Sequence, residues 1–131
     1  IPLRLVGSEM CIRDSARPVL YGSYHPMSLC PTSTTPPREL ESVAVGGPLC
    51  ESGDIFTQEE GGFVSTRDLP PARVGDFLII EVAGAYGFVM ASNYNSKPFP
   101  AEILIDSGSS QLVRARQTAD EIFSGEYIPT T

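Results

Sequence analysis

Short apolar segments, each bounded by turn-forming residues, recur along this chain. Residues 77–80 are a continuous apolar run, which together with Val82 predicts a strand buried on both faces. Similar segments bounded by Gly, Pro, Asn or Ser predict further strands at residues 19–24, 41–46, 84–90, 101–105 and 111–116. Many short strands at close intervals favour an antiparallel β-barrel or β-sandwich.

One helix is predicted towards the end of the chain. Thr118 and Glu121 have the spacing of a capping box, and Ile122 and Phe123 follow as the residues that would dock on the strands. Gly125 is expected to end this helix. The proline- and threonine-rich residues 31–38 predict a surface connection, because proline cannot serve a central strand.

Residues 1–15 are set apart from this fold prediction. Their second half matches what one reading frame of a common sequencing-library adaptor encodes, and we expect the segment to be an assembly artefact. Its charges, Arg4 and Arg13 against Glu9 and Asp14, cancel. The net charge of −7 therefore belongs to residues 16–131, which we expect to form one domain.

Composition excludes several classes of function. No apolar stretch approaches the ~20 residues of a membrane span. The net charge of −7 argues against nucleic acid or an anionic membrane surface as a partner. Outside residues 1–15, which contain Cys11, one histidine, His25, and two separated cysteines, Cys30 and Cys50, predict no metal site. We expect both cysteines to be reduced, Cys30 to be a buried or incidental thiol, His25 to be structural, and the protein to be cytoplasmic.

The most informative segment is the cysteine turn, residues 47–54, which follows an apolar run. It places Cys50 and Glu51 side by side between glycines, with Asp54 at its end. A thiol beside carboxylates in a sharp turn is suited to donating a proton. We expect Asp54 to orient the turn by accepting hydrogen bonds from backbone amides.

Two further blocks accompany the turn, residues 17–26 and residues 84–95. In this order and spacing, the three blocks resemble the C-terminal domain of the fold type III, alanine-racemase-like, pyridoxal-phosphate-dependent decarboxylases. The resemblance runs from about Arg17 to about Ile128. The Cys-Glu form of the turn favours the diaminopimelate branch, because the ornithine and arginine branches carry Cys-Asp-Gly. The resemblance implies a Greek-key-like antiparallel β-barrel with a short C-terminal helix.

The resemblance also implies roles for individual residues. Cys50 would donate a proton to the substrate across a homodimer interface, and Glu51 would hold the substrate's distal ammonium group. Arg17 and Tyr21 would bind its distal carboxylate. Tyr86 would reach both the substrate and the phosphate of pyridoxal 5′-phosphate. Tyr94 matches an aromatic of the substrate pocket in the ornithine relatives.

The resemblance covers only part of a decarboxylase. These enzymes bind the cofactor through a lysine on an N-terminal (β/α)₈ barrel, whereas the single lysine here, Lys97, lies in an unrelated turn. We therefore expect the chain to be a C-terminal fragment that is inactive alone. Two alternatives stay open: a decarboxylase of another basic amino acid, of the ornithine, arginine or lysine type, and a stand-alone, non-catalytic β-barrel module.

Overall fold

The structure, a computed structural model, describes residue 11, residues 14–32 and residues 39–130. Its elements are α1 (Arg17–Tyr21), β1 (Met27–Cys30), β2 (Glu41–Val43), β3 (Arg67–Leu69), β4 (Phe77–Ile80), the 3-10 helices Phe88–Met90 and Tyr94–Ser96, β5 (Glu102–Asp106), β6 (Ser109–Arg114) and α2 (Ala119–Ile122). The chain divides into two compact units, one ending at Ala91 and the other beginning at Ser92.

The first unit contains two small antiparallel sheets around one core. β1 pairs with β4, and β2 pairs with β3. In β1, β3 and β4, buried or half-buried residues alternate with exposed ones, which is the period-two pattern of a half-buried strand. The core consists of Val43, Val45, Phe56 and Leu69, with Met27, Leu78 and Ile80 packed against it.

The second unit is a β-hairpin with a short helix. β5 and β6 pair in antiparallel register around Ser107 and Gly108, both of which have positive φ. The Gln117 side chain accepts from the Phe99 amide at 3.0 Å and from the Asn93 side chain, tying the ends of the unit together. At α2, the predicted capping box of Thr118 and Glu121 is confirmed.

Several predicted strands are confirmed and one end point is corrected. The strands at residues 101–105 and 111–116 correspond to β5 and β6. The strand at 41–46 corresponds to β2 and an isolated bridge between Gly46 and Ile55. Helix α2 ends at Ile122, so Gly125 is not the residue that stops it.

The strand predicted at residues 19–24 is wrong, because this segment begins as helix α1. Pro18 lies in the first turn, where its missing amide hydrogen costs no helical hydrogen bond. Gly22 then ends the helix in the left-handed conformation at φ 59°, and its amide donates to the Pro18 carbonyl at 2.9 Å.

The strand predicted at residues 84–90 is also wrong. After β4 the backbone leaves extended conformation, with Val82 at φ 55° and Tyr86 at φ 63°. A Cβ on Gly87 would lie 2.3 Å from the Ala83 carbonyl oxygen, so the chain turns too tightly here for a strand. The segment continues as the 3-10 helix Phe88–Met90.

β4 is not buried on both faces, contrary to the prediction from its apolar run. Leu78 and Ile80 pack against the core, whereas Phe77 is 64% exposed and Ile79 is 49% exposed.

The mainly β character of the fold is confirmed. Among the described residues, however, the strands form three two-stranded sheets and no closed barrel. β1 and β3 lie close together but share no ladder of hydrogen bonds.

Two predicted segments fall largely outside the described residues. Residues 33–38 of the proline-rich connection are among them, as is most of the segment 1–15. Of that segment, Cys11, Asp14 and Ser15 are described and buried. Within the described part of the chain, no helix is long and apolar enough to cross a membrane.

Replacing Gly22 with alanine should destabilise the first unit. Gly22 has φ 59°, and an added Cβ would lie 2.2 Å from the Glu60 amide nitrogen. We expect the free energy of unfolding to fall by about 2–4 kcal/mol, from unfavourable φ and steric overlap together. Urea unfolding followed by circular dichroism measures this loss. The matched control is Gly75→Ala, where φ is 97° but the added Cβ would meet only Thr32 Oγ1 at 3.6 Å. Equal losses in both variants would contradict the steric account.

The Thr118–Glu121 capping box should be detectable in the pKa of the Glu121 carboxyl group. The Thr118 amide and hydroxyl both donate to the Glu121 carboxylate, and this lowers the pKa of Glu121 below its usual value of 4.5. Because the folded pKa is depressed, the ionised cap supports α2 at neutral pH, and this support is lost as the pH falls through the folded pKa. In an NMR titration, Thr118→Ala should move the Glu121 midpoint upward. Ser124→Ala, which removes only a hydroxyl bonded to the Glu121 carbonyl, should leave it in place. Identical midpoints in both variants would count against the cap.

Candidate active site

The cysteine turn is closed at its base by backbone hydrogen bonds. The Gly47 amide donates to the Asp54 carbonyl at 2.8 Å, next to the bridge between Gly46 and Ile55. Inside the turn, the Asp54 amide donates to the Glu51 carbonyl at 3.2 Å. These hydrogen bonds therefore hold the two ends of the segment 48–53 close together.

The Asp54 carboxylate is folded into this turn. The residue is only 3% exposed, and its Oδ2 accepts a hydrogen bond from the Leu49 amide at 2.7 Å. Both carboxylate oxygens occupy the space where a Cβ on Gly47 would lie, at 2.3 Å. The prediction that Asp54 accepts a backbone amide of the turn is confirmed.

The turn presents Cys50 to solvent beside Glu51. Cys50 is an exposed, free cysteine, whereas Glu51 is half-buried. The Glu51 carboxylate accepts from the Gly53 amide at 3.0 Å and from the Ser52 hydroxyl at 3.2 Å. The turn thus fixes a carboxylate one residue away from an accessible thiol.

Helix α1 packs directly on the cysteine turn. A Cβ on Gly53 would lie 3.3 Å from Val19 Cγ2, so the helix and the turn are in close contact at this glycine. The same Cβ on Gly53 would lie 3.6 Å from Glu51 Oε1. α1 and Glu51 therefore share one small region of the first unit.

Arg17, Tyr21 and Tyr86 form a cluster at α1. The Arg17 guanidinium carbon lies 5.8 Å from the centre of the Tyr21 ring and 5.2 Å from that of the Tyr86 ring. Both distances fall within the range of cation–π attraction. The two tyrosines are 58% and 62% exposed, so their rings remain accessible. A guanidinium between two exposed phenols is suited to binding a carboxylate or phosphate.

Tyr94 and Lys97 belong to the second unit. Tyr94 begins the 3-10 helix Tyr94–Ser96 and is 46% exposed, and Lys97 is exposed at its end. The role of Tyr94 in a substrate pocket stays a prediction.

Across the described ranges of the chain, no group of three His, Cys, Asp or Glu residues could hold a metal ion.

His25 is part of the framework of the first unit. It is 4% exposed, and its Nδ1 lies 3.2 Å from the Glu81 carbonyl oxygen. A carbonyl only accepts, so Nδ1 carries the proton in this contact. Its Nε2 is buried and has no hydrogen-bond partner among the residues that the structure describes. The expected structural role of His25 fits this burial.

Sequence reasoning missed the residues that bring the site together. Val19 was assigned to a strand, yet it forms the contact between α1 and the cysteine turn. Gly47 was treated only as a turn boundary, although the Asp54 carboxylate requires a residue without a side chain there. The Gly46–Gly47 pair is a local signal for such a close approach.

Comparison with known proteins identifies the domain. The family model described as "Pyridoxal-dependent decarboxylase, C-terminal sheet domain" matches residues 5–84. The diaminopimelate decarboxylase of Escherichia coli K12 is 48% identical over 120 residues, which cover 88% of this chain and 28% of the relative. That of Buchnera aphidicola from Acyrthosiphon pisum is 50% identical over 120 residues, covering 90% of this chain and 29% of the relative.

Solved structures give the same result. A crystal structure of a diaminopimelate decarboxylase matches with a TM-score of 0.84 and 43% identity, over 92% of this chain and 31% of that one. The M. jannaschii enzyme in complex with L-lysine matches with a TM-score of 0.76 and 34% identity, over 91% and 25% respectively. This chain thus spans less than a third of the length of these relatives. It belongs to the pyridoxal-dependent decarboxylase family, in which it matches the C-terminal sheet domain.

Proposed function

We propose that this chain is the C-terminal part of a diaminopimelate decarboxylase, an enzyme that converts meso-diaminopimelate to L-lysine and CO₂. The observation that carries the proposal is the position of α1, which contacts both the cysteine turn and Tyr86. The segments that carry the residues assigned by the family resemblance to proton donation and substrate binding therefore meet at one helix of the first unit. Identity of about half to diaminopimelate decarboxylases supports this substrate over ornithine or arginine.

In this proposal, Cys50 supplies the proton that completes decarboxylation. The bond between the α-carbon and its carboxylate breaks, CO₂ leaves, and the Cys50 thiol gives its proton to the α-carbon. Solvent then reprotonates the thiolate. A thiol in contact with the reacting carbon can act as a general acid. The exposure of Cys50 is compatible with delivery into the active site of a partner subunit.

The two ends of the substrate require opposite charges. Arg17 would bind the distal carboxylate, because a guanidinium donates two parallel hydrogen bonds to that group, and Tyr21 would add a third. Glu51 would hold the distal ammonium, which is costly to bury without a carboxylate. A carboxylate at the distal end distinguishes diaminopimelate from ornithine, so the Arg17 and Tyr21 pair would determine specificity.

The cofactor of this reaction is pyridoxal 5′-phosphate. When bound, it supplies the sink for the electron pair that the departing carboxylate leaves behind. The exposed Tyr86 ring, beside the Arg17 guanidinium, fits the role of contacting its phosphate. The lysine that binds the cofactor would come from the remaining two-thirds of the enzyme, as Lys97 lies in an exposed 3-10 turn.

The proposal extends to assembly. Residues 16–131 would form a closed Greek-key-like β-barrel domain of a cytoplasmic homodimer whose active site is shared between subunits. Exposed apolar side chains on β4, including Phe77 and Ile79, support a further protein surface packing against this unit.

The proposed role of Cys50 can be tested in a complete enzyme. A chimera would join the N-terminal part of the E. coli enzyme to residues 16–131 of this chain. We expect it to form L-lysine from meso-diaminopimelate, and Cys50→Ala to lower kcat by about 10²- to 10⁴-fold, the range of lost acid catalysis. Cys30→Ala, which removes the other exposed thiol, is the control. A folded chimera that releases CO₂ from ornithine, or from no amino acid, would support one of the alternative functions.

Substitution of Arg17 should separate binding from catalysis. In the same chimera, Arg17→Gln should raise KM for diaminopimelate by about 10- to 100-fold, because a charge-assisted hydrogen bond contributes roughly 1.5–3 kcal/mol. Steady-state kinetics at saturating cofactor measure this change. Arg73→Gln, at an exposed arginine elsewhere in the first unit, should leave KM unchanged. An unchanged KM in Arg17→Gln would exclude its contact with the substrate.

A further inference from the structure

Hydrogen bonds fix the backbone of the cysteine turn on both sides of Cys50. Cys50 is exposed, so no surrounding core holds its side chain. The residue before it, Leu49, is half-buried and is fixed through its amide, which donates to Asp54 Oδ2 at 2.7 Å. The contact between Leu49 and Asp54 therefore fixes the backbone immediately before Cys50.

Asp54 holds the turn from both of its ends. Its side chain accepts from Leu49, its amide donates to the Glu51 carbonyl at 3.2 Å, and its carbonyl accepts from Gly47 at 2.8 Å. These three contacts enclose Cys50 on either side along the chain. We propose that Asp54 is a positioning residue that aims the Cys50 thiol for proton transfer, an inference that rests on the proposed function of Cys50.

Burial separates Asp54 from any direct contact with substrate. At 3% exposure its carboxylate lies inside the turn, where a charge is costly unless hydrogen bonds compensate it. Asp54 therefore acts through Cys50, and its loss should lower kcat and leave KM nearly unchanged. A displacement of the reacting group by about 1 Å can cost about 100-fold in rate.

Gly47 is the steric complement of this carboxylate. A Cβ at residue 47 would lie 2.3 Å from both carboxylate oxygens of Asp54, so any side chain there would displace the carboxylate from the Leu49 amide. The contact can therefore be broken from either side. Asp54→Ala removes the carboxylate, and Gly47→Ala pushes it away while keeping its charge.

The test is a double-mutant cycle in the complete chimeric enzyme. We expect Asp54→Ala to lower kcat by about 10- to 100-fold, with KM within about 3-fold of the parent. In the Cys50→Ala background, Asp54→Ala should lower kcat by less than about 2-fold, because its effect passes through the thiol that is already absent. A purely structural role would lower kcat by a similar factor in both backgrounds and would overturn the proposal.

Conservative and matched variants keep the test decisive if Asp54→Ala fails to fold. Asp54→Asn retains an oxygen that can accept from Leu49, and should keep kcat within about 5-fold of the parent. Gly47→Ala should reproduce the kcat loss of Asp54→Ala in the parent and have little effect once Asp54 is alanine. Full activity in Gly47→Ala would overturn the proposal. Asp76→Ala is the control, since Asp76 accepts from the Arg73 amide at 2.9 Å in a turn elsewhere in the unit.

The outcomes also separate this inference from the proposed function. If Cys50→Ala keeps the parent kcat, Cys50 is not the proton donor. The proposed role of Cys50 and the positioning role of Asp54 are then both wrong. If Cys50→Ala loses activity while Asp54→Ala keeps it, only the positioning role of Asp54 is wrong. Loss of activity in both single variants, without a further loss in the double variant, supports both.

Discussion

The left-handed turn at Gly22 is the constraint on which the candidate site depends. It stops α1 after five residues and brings the backbone against Glu59 and Glu60, at a distance that leaves no room for a Cβ. The fixed end of α1 places Val19 on the cysteine turn and Arg17 beside Tyr86. A strand in place of α1 would change the side-chain period from 3.6 to 2 residues and so alter which residues face the turn and Tyr86.

The first unit has a small core and a large uncovered apolar surface. Its fully buried apolar residues are few, whereas Phe77, Val74 and Phe63 are among many large apolar side chains that are mostly exposed. Small domains are only marginally stable because they bury a limited fraction of their surface. Phe77 and Ile79 on β4 belong to this uncovered surface.

The residues of the cysteine turn differ sharply in their burial. Asp54 is buried and bonded to the backbone, and Cys50, four residues earlier, is exposed. A rigid turn that carries an accessible thiol is the arrangement that the proposed proton transfer requires. Glu51 is intermediate in burial, and its carboxylate accepts a hydrogen bond from the Gly53 amide.

Features that depend on residues close together in the chain could be predicted from the amino-acid sequence. The capping box of Thr118 and Glu121, the β5–β6 hairpin and the Asp54 contact with the cysteine turn all follow from local hydrogen bonds. Three features depend on residues far apart in the chain: the contact of α1 with the cysteine turn, the exposure of one face of β4 and the meeting of Arg17 with Tyr86. Apolar periodicity shows that a side chain can be buried. Whether it is buried depends on which distant segments are present to cover it.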